Sequence, residues 1–157
     1  MTFLDVAHFK EVLGHYATGL VIVSATTDEG PAGFTCQTFG SLSLDPALVT
    51  FAAGSDGISW ARVRHSSLVG ISILSADQEP LARLFATSGV DKFDGTPWEK
   101  GPDGSPLLDG ALAHIEGRVS GITTHGDHDV AVVEVTYAHA RSGHPLIYFR
   151  GGFSELA

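Results

Sequence analysis

The chain has 157 residues, 43% of them hydrophobic, enough to fill the core of one compact domain spanning residues 1–157. Its 18 acidic and nine basic residues give a formal net charge of −9, and the basic residues are scattered, so nucleic-acid binding is not expected. No apolar run approaches the roughly 18 to 20 residues that span a bilayer, which argues against a membrane protein.

The first part of the sequence predicts one helix and then a series of strands. Residues 3–16 carry apolar side chains at helical spacing, with Thr2 available as a cap, which predicts a short amphipathic helix. Residues 20–26 are rich in β-branched side chains and precede a turn signal at 28–31, so a strand and a tight turn follow. The returning strand begins at residue 33. A further strand, a polar turn and a short helix are then predicted over residues 47–53, 54–57 and 59–64.

The second part continues the β pattern after one more helix. Residues 68–74 predict a strand, and Asp77 is a suitable cap for a helix with Pro80 in its first turn. Residues 88–110 are rich in glycine and proline and show no clear period, which predicts a long excursion of the kind that often carries function. The remaining strands are expected over residues 111–124, 130–139 and 146–149.

Six or seven strands and three short helices are therefore predicted. Most strands are joined by turns rather than by helices, and this arrangement favours antiparallel pairing. The expected fold is mainly β, a largely antiparallel sheet closed into a barrel.

The stretch GFTCQTFGSLSLDPALV, residues 33–49, differs from an ordinary core strand. A strand that served only as core would alternate apolar and polar residues or be continuously apolar. This one instead carries uncharged side chains that can hydrogen-bond, at Thr35, Gln37, Thr38, Ser41 and Ser43. Such a surface suits a planar, polar ligand. The alternative is a polar strand face with no ligand.

Several familiar site motifs are missing from the sequence. There is no GxGxxG, no GxxxxGK[ST] and no GxSxG, so a Rossmann site, a P-loop and a nucleophile elbow are not expected. His125 and His128 stand three residues apart in a predicted turn, flanked by Asp127 and Asp129. A tight turn rarely converges three metal ligands, so no metal site is predicted. A solvated polar turn and a ligand-facing His128 are the other two interpretations.

The start of the chain and its cysteine content bear on location. The first residues, MTFLDVAHFK, lack a basic start followed by an apolar block, so no signal peptide is expected. Cys36 is the one cysteine of the sequence, so no disulfide can form within the chain. A reducing cytoplasm is the expected compartment.

An ordered set of motifs resembles a known family. The hydroxyl-rich stretch follows ATGLVIV at residues 17–23. It is followed by SDGISWARV at 55–63, DKF at 91–93 with Trp98, PLLDGA at 106–111, GDH at 126–128 and GGF at 151–153. This series resembles the short-chain flavin reductases, the small components of two-component flavin-dependent monooxygenases. The match covers nearly the whole chain in the right order.

The resemblance implies a fold and a function. The fold is a six- to seven-stranded antiparallel split β-barrel of the FMN-binding split-barrel type. The function is that of an NAD(P)H:flavin oxidoreductase, in which NADH, with NADPH as a possibility, reduces FMN or FAD. Reduced flavin then passes to a partner oxygenase. The resemblance also implies a homodimer with each flavin at or near the subunit interface.

Two other functions remain open at this point. One is a non-catalytic flavin-binding protein on the same fold, such as a store, sensor or electron carrier. The other is a flavin-dependent oxidase or dehydrogenase that acts on a small substrate and keeps its flavin bound during turnover.

The resemblance also assigns residues to the flavin site. The ring is expected along the hydroxyl-rich stretch, and the phosphate at the turn into the second helix. His128 of the GDH motif is expected near the nicotinamide, as a hydrogen-bond donor or proton source. The cofactor-binding set is Thr35, Cys36, Gln37, Thr38, Ser41, Ser43, Ser55, Gly57, Ser59, Trp60, Lys92, Phe93 and Phe153.

Some of these assignments have a structural alternative. Cys36 is more often a small buried hydrophobe than a reactive thiol. Trp60 either covers the phosphate end of the flavin or packs in the core. Lys92 either adds positive charge to the phosphate site or is solvated. Phe153 lies either beside the pocket or in the core at the end of a strand.

Overall fold

The computed structural model describes residues 4–157. This part of the chain forms three α-helices, one short 3₁₀ helix and eleven strands. The helices are α1 (Val6–Leu13), α2 (Ile58–Val63) and α3 (Glu79–Phe85), and the 3₁₀ helix spans Ala76–Gln78. The strands are β1 (Val21–Thr27), β2 (Gly30–Cys36), β3 (Gly40–Leu44), β4 (Ala47–Gly54), β5 (Leu68–Ile73), β6 (Trp98–Lys100), β7 (Pro106–Leu108), β8 (Ala113–His125), β9 (His128–Ala140), β10 (Leu146–Phe149) and β11 (Gly152–Glu155).

Seven of these strands form one sheet in the order β2-β1-β5-β8-β9-β4-β3. Every neighbouring pair in this sheet is antiparallel. Two antiparallel ribbons, β6–β7 and β10–β11, lie outside it. The prediction of a mainly β fold built on a large antiparallel sheet is confirmed.

The sheet curls around an apolar core, so that β2, at one end of the sheet, faces β4, near the other end. Phe34 of β2, Phe51 of β4 and Trp60 of α2 meet edge to face, with ring centroids 5.7 to 6.1 Å apart. At the end of β2, the Cys36 Sγ and Thr38 Oγ1 atoms contact the Ala52 carbonyl of β4. The barrel thus closes between β2 and β4 through side chains and remains split there, because no ladder joins the two strands.

A second apolar cluster covers the outer face of β1. Ile22 alternates with the inward-facing residues of β1 and lies against Phe85 of α3, together with Leu74, Leu108 and Leu146. These residues come from β1, α3, β7, β10 and the end of β5. Helix α3 and the ribbon β10–β11 therefore cover the barrel rather than extend it.

The excursion at residues 88–110 is anchored on the barrel. It contains the ribbon β6–β7, which the sequence did not predict. Ser24 Oγ of β1 donates to the Pro106 carbonyl at 2.6 Å, and the Leu108 N–H donates to Ser72 Oγ of β5 at 3.0 Å. The fully buried Glu116 carboxylate accepts the backbone N–H groups of Asp103 and Ser105, at 3.1 and 2.9 Å.

The predicted element boundaries need three corrections. The first helix begins after Asp5, whose carboxylate accepts the His8 N–H at 3.1 Å; the predicted cap, Thr2, and Phe3 lie outside the described residues. The 3₁₀ helix before α3 starts after Ser75, which forms a capping box with Gln78, rather than after Asp77. The strand predicted from residue 33 onward is broken at 37–39 into β2 and β3.

Among residues 4–157, no helix is both long enough and apolar enough to cross a membrane.

Candidate functional site

Two of the predicted site segments meet at one end of the barrel. Strand β4 runs into the turn before α2, and its last residue, Gly54, pairs with His128 at the start of β9. The Ser55 N–H then donates to the Asp127 carbonyl at 2.9 Å. The structure therefore places the predicted phosphate turn, residues 54–57, directly beside the β8–β9 hairpin that carries the predicted catalytic histidine.

Asp129 ties these two segments to α2, whereas from the sequence it was named only as an acid flanking the histidine turn. Its side chain is 2% exposed and accepts four hydrogen bonds. Oδ1 accepts from Thr124 Oγ1 at 2.7 Å and from Ser55 Oγ at 3.1 Å. Oδ2 accepts from Trp60 Nε1 at 2.8 Å and from Arg64 Nη1 at 3.2 Å. These hydrogen bonds, that of Trp60 above all, lower the pKa of the Asp129 carboxyl below its usual 3.8.

A signal for Asp129 was present in the sequence. On β9, Asp129 is in phase with the buried Ala131 and Val133. Strand side chains alternate between the two faces, so a carboxylate at this position had to face the core. A buried carboxylate requires donors, which the neighbouring elements supply.

The hydroxyl proton of Ser55 is already used within the protein. Because the Asp129 carboxyl is ionised, it can only accept, and Ser55 must donate to it. The Gly57 N–H likewise donates to the Gly54 carbonyl at 3.0 Å. The two residues shape the turn, but neither of these donors is free for a phosphate.

His128 is exposed and is oriented by its neighbour in the chain. Its Nδ1 lies 2.7 Å from Asp127 Oδ1, which leaves Nε2 as the ring nitrogen that can meet a ligand. The hydrogen bond from His128 lowers the pKa of the Asp127 carboxyl. Since a carboxylate accepts, the neutral imidazole carries its proton on Nδ1 and presents Nε2 as an acceptor.

Three predicted residues line one cavity of about 410 Å³ between β2, α2 and the loop after α3. They are Ser59, Lys92 and Phe93. Lys92 Nζ donates to Ser59 Oγ at 2.9 Å, to the Phe85 carbonyl at 2.9 Å and to the Gly33 carbonyl at 3.1 Å. Burial lowers the pKa of the Lys92 ammonium. The alternative of a merely solvated Lys92 therefore does not hold.

The side chains of Thr35 and Cys36 turn away from any open surface. Thr35 Oγ1 donates to the Ala82 carbonyl of α3 at 2.6 Å. Cys36 is 5% exposed inside the barrel, and burial raises the pKa of its thiol. These two side chains hold the strand in place, and Cys36 is the small buried residue that the structural alternative described.

Gln37 and Thr38 stand at the open end of the same strand. Both are exposed and line a cavity of about 450 Å³ with Tyr16, Thr18 and Phe39. Thr38 Oγ1 donates to the Ala52 carbonyl and accepts the Ala52 N–H, both at 2.8 Å. Gln37 is therefore the polar side chain of this segment that is free to reach a ligand.

Ser41 and Ser43 lie further along, on the edge strand β3. Ser41 pairs with Val49 and Ser43 with Leu48, and the register shifts between them. A bulge thus separates the two hydroxyls, so they do not continue one regular polar face with Gln37.

The three predicted aromatic contacts lie mainly in the two cores. Trp60 is 2% exposed and packs against Phe51, which supports core packing rather than a cover over the flavin. Phe93, 9% exposed, contacts Trp98 edge to face and also lines the cavity that contains Lys92. Phe153 packs on Tyr148 at 5.5 Å, and the Arg83 guanidinium lies 4.6 Å from the centre of its ring.

A larger cavity, of about 670 Å³, lies elsewhere, between the β1–β2 turn, the end of α2 and the loop before β7. Its lining contains none of the predicted site residues. The smaller cavities, one lined by Lys92 and the other by Gln37, are the better candidates for the flavin site because they contain predicted site residues.

The hairpin histidines do not converge on a shared point. His125 Nε2 lies 3.1 Å from Thr123 Oγ1, whereas His128 contacts Asp127. Within residues 4–157, no three His, Cys, Asp or Glu side chains are grouped so that they could hold a metal ion.

Known proteins share both the sequence and the structure of this chain. The flavin reductase like domain family matches residues 13–157. The reductase subunit HsaB of a flavin-dependent monooxygenase from Rhodococcus jostii is 36% identical over 154 residues, which cover 98% of this chain and 79% of that protein. The FMN reductase (NADH) SmoA of Agrobacterium fabrum is 37% identical over 149 residues, which cover 95% of this chain and 85% of that protein.

A solved structure matches equally well. The NADH:FAD oxidoreductase of Streptomyces globisporus, in complex with NAD and FAD fragments, has a TM-score of 0.93 at 31% sequence identity. The match covers 100% of this chain and 98% of that chain. Both the ordered motifs and the split sheet are therefore explained by common descent, and the chain belongs to the flavin reductase like domain family.

Proposed function

We propose that this protein is an NADH-dependent flavin reductase, which reduces FMN or FAD and supplies the reduced flavin to a flavin-dependent monooxygenase. The observation that carries the proposal is the family match over residues 13–157, together with relatives whose names state this activity. The reductase subunit from Rhodococcus jostii belongs to a monooxygenase, which supports an oxygenase as partner. Residues 1–157 are proposed to form one flavin reductase domain.

The residues of the chain have to bind and orient two rings. Bound flavin supplies the redox chemistry, by accepting a hydride from the nicotinamide. Gln37 and the backbone around it lie at the open end of β2, where they can hydrogen-bond the edge of a flavin ring. Thr38, next to Gln37, contacts Ala52 of β4, and Gly54 of the same strand pairs with His128, which is assigned to the nicotinamide side. Holding both rings in reacting geometry is a large part of such catalysis.

The cavity beside α2 suits the phosphate of the flavin. Lys92 donates to Ser59 Oγ, so the Ser59 hydroxyl keeps its own proton for an anion. The Lys92 charge polarises that hydroxyl. Arg62 lines the same cavity, as do the acids Glu29, Asp91 and Asp94, and Arg62 pairs with Glu29 at 3.3 Å. A hydrogen bond to a charged group is worth about 1.5 to 3 kcal/mol, which helps offset the net charge of −9. Ser59 is therefore the favoured phosphate contact, and Lys92, whose three N–H groups are already donated within the protein, contributes its charge through Ser59.

The active form is proposed to be a homodimer. None of the residues of α1 is buried, and its apolar side chains are open to solvent: Phe9 is 45% exposed and Leu13 55%. On the edge strand β3, Leu44 is 92% exposed. Tyr16, which follows α1, lines the same cavity as Gln37. A second copy packed on this face would cover both the apolar side chains and that cavity.

The protein is proposed to act in the cytoplasm. Its single cysteine is a free thiol in the barrel core, which suits a reducing compartment.

Steady-state kinetics test the proposed activity. NADH and NADPH are each crossed with FMN, FAD and riboflavin, and nicotinamide oxidation is followed by its absorbance. We expect saturable turnover with NADH and free flavin as a second substrate. Tight flavin retention without turnover would favour a flavin-binding protein instead. Flavin that stays bound while a small substrate is consumed would favour an oxidase or dehydrogenase.

A further inference from the structure

The Asp129 carboxylate joins four segments that otherwise have separate tasks. Its four donors come from the turn after β4 (Ser55), the first turn of α2 (Trp60), the residue after α2 (Arg64) and the end of β8 (Thr124). Both oxygens accept two bonds each, so the carboxylate is saturated in the folded chain. Neither oxygen is left to contact a ligand.

A buried carboxylate carries a high desolvation cost at this position. Removing a charge from water is costly unless it is paired and hydrogen-bonded, and an apolar residue in phase with Ala131 and Val133 would pack without that cost. Arg64 supplies the pairing charge, 3.2 Å away, from a side chain that is 39% exposed. The arrangement gives geometric specificity: four donors can meet one carboxylate only in a single relative placement of their segments.

We propose that Asp129 is a positioning residue for flavin reduction, which fixes the 54–57 turn and the tip of the β8–β9 hairpin against α2. The inference rests on the proposed function. Asp129 acts through its neighbours: His128 precedes it in β9, and Ser55 follows the Gly54 that pairs with His128. Without the carboxylate, the Ser55 and Thr124 hydroxyls lose their acceptor, and the hairpin tip can shift relative to the flavin phosphate cavity beside α2.

Asp129→Asn is the first test, because the amide keeps the size but cannot accept all four bonds. We expect kcat/KM for flavin to fall by about 10- to 100-fold, the loss typical of a misplacement of about 1 Å at an active site. Glu134→Gln, an exposed acid on the same strand, is the matched control and is expected to keep wild-type kinetics. A folded Asp129→Asn protein with wild-type kcat/KM overturns the proposal.

A double-mutant cycle separates positioning from a merely structural role. If Asp129 acts through the hairpin, Asp129→Asn combined with His128→Ala should be little worse in kcat/KM than the more damaging single variant. Losses that multiply would show that the two residues act independently and would contradict the proposal.

Thr124→Val covers the case in which Asp129→Asn does not fold. It removes one donor to Oδ1 and keeps the side-chain shape, whereas Thr123→Val, one residue earlier, leaves Asp129 untouched. We expect a smaller loss of kcat/KM in Thr124→Val than in Asp129→Asn, and none in Thr123→Val. Equal kinetics for the two threonine variants overturn the proposal.

Titration with FMN or FAD, followed by flavin fluorescence, keeps this test distinct from that of the proposed function. A wild-type chain that binds flavin but does not oxidise NADH overturns the proposed function alone, and a weaker flavin Kd in Thr124→Val than in Thr123→Val then supports the role of Asp129. A wild-type chain that binds neither flavin overturns both.

Discussion

At the scale of single residues, several side chains assigned to a ligand are used first by the protein itself. Thr35 and Thr38 donate to carbonyls 47 and 14 residues away, and Ser55 donates to a carboxylate 74 residues away. The sequence shows that a hydroxyl is present, but its partner depends on the tertiary fold. The structure therefore removes the Thr35, Thr38 and Ser55 donors from the predicted ligand contacts and leaves Gln37, and Ser59 in α2, able to reach a ligand.

His128 has the clearest residue-level prediction. Its ring is held by Asp127 through Nδ1 and presents Nε2 outward. Replacing it with alanine removes the hydrogen-bonding atom assigned to the nicotinamide side, so we expect kcat for NADH oxidation to fall by roughly 10- to 100-fold, within or just below the usual range for a positioned acid or base. Stopped-flow measurement of flavin bleaching under anaerobic conditions isolates this step from flavin release.

His125→Ala is the matched control for this prediction. His125 lies on the same hairpin, is also exposed and contacts Thr123 rather than Asp127. It should reduce flavin at the wild-type rate. An unchanged rate in His128→Ala would remove His128 from the mechanism.

At the scale of elements, the sequence predicted the β8–β9 hairpin well and the excursion poorly, and it did not predict β11. Strands β8 and β9 follow from alternating patterns joined by a turn signal at Gly126, which has a positive φ of 61°. Residues 88–110 have no such local signal. Their order comes from contacts with distant strands, such as Ser24 with Pro106, 82 residues apart, and the buried Glu116 with the loop before β7.

The docking of β7 on β5 gives the prediction at this scale. A Cβ atom added at Gly70 would lie 2.5 Å from the Pro106 carbonyl oxygen and 2.9 Å from a Leu107 methyl carbon. Because the first of these atoms is backbone, Gly70→Ala must displace β7, and overpacking of this kind costs about 1 to 3 kcal/mol. The free energy of unfolding in guanidinium chloride should fall by that amount.

Gly121→Ala provides the comparison for Gly70→Ala. It also lies in a strand of the large sheet, but a Cβ atom there meets nothing within 4 Å. Its unfolding free energy should stay close to that of the wild type. Equal stability of the two alanine variants would mean that β7 does not pack on β5 as described.

At the scale of the whole molecule, the chain leaves apolar side chains without cover. The sequence correctly predicted an amphipathic first helix, but not that its apolar side would remain exposed. A periodic pattern does not indicate which surface the helix packs against. Val6, Val12 and Leu13 of α1 are each more than half exposed, at 65%, 53% and 55%. Exposed apolar patches mark interaction sites, and an unpaired edge strand such as β3 needs protection.

Light scattering after gel filtration tests the dimer that would cover this surface. The wild type should have about twice the chain mass of 16.5 kDa. Phe9→Asp and Leu44→Asp place a charge where the second copy is proposed to pack, so both should shift the mass toward one chain. Flavin binding should weaken as well, since Tyr16, which follows α1, lines the cavity that contains Gln37. Val90→Asp is the control, because Val90 is 48% exposed, like Phe9 at 45%, but lies in the loop after α3.

A monomeric wild type would rule the dimer out. Dimeric Phe9→Asp and Leu44→Asp variants would place the interface elsewhere. A monomer that still binds flavin with wild-type affinity would show that one chain holds the complete site.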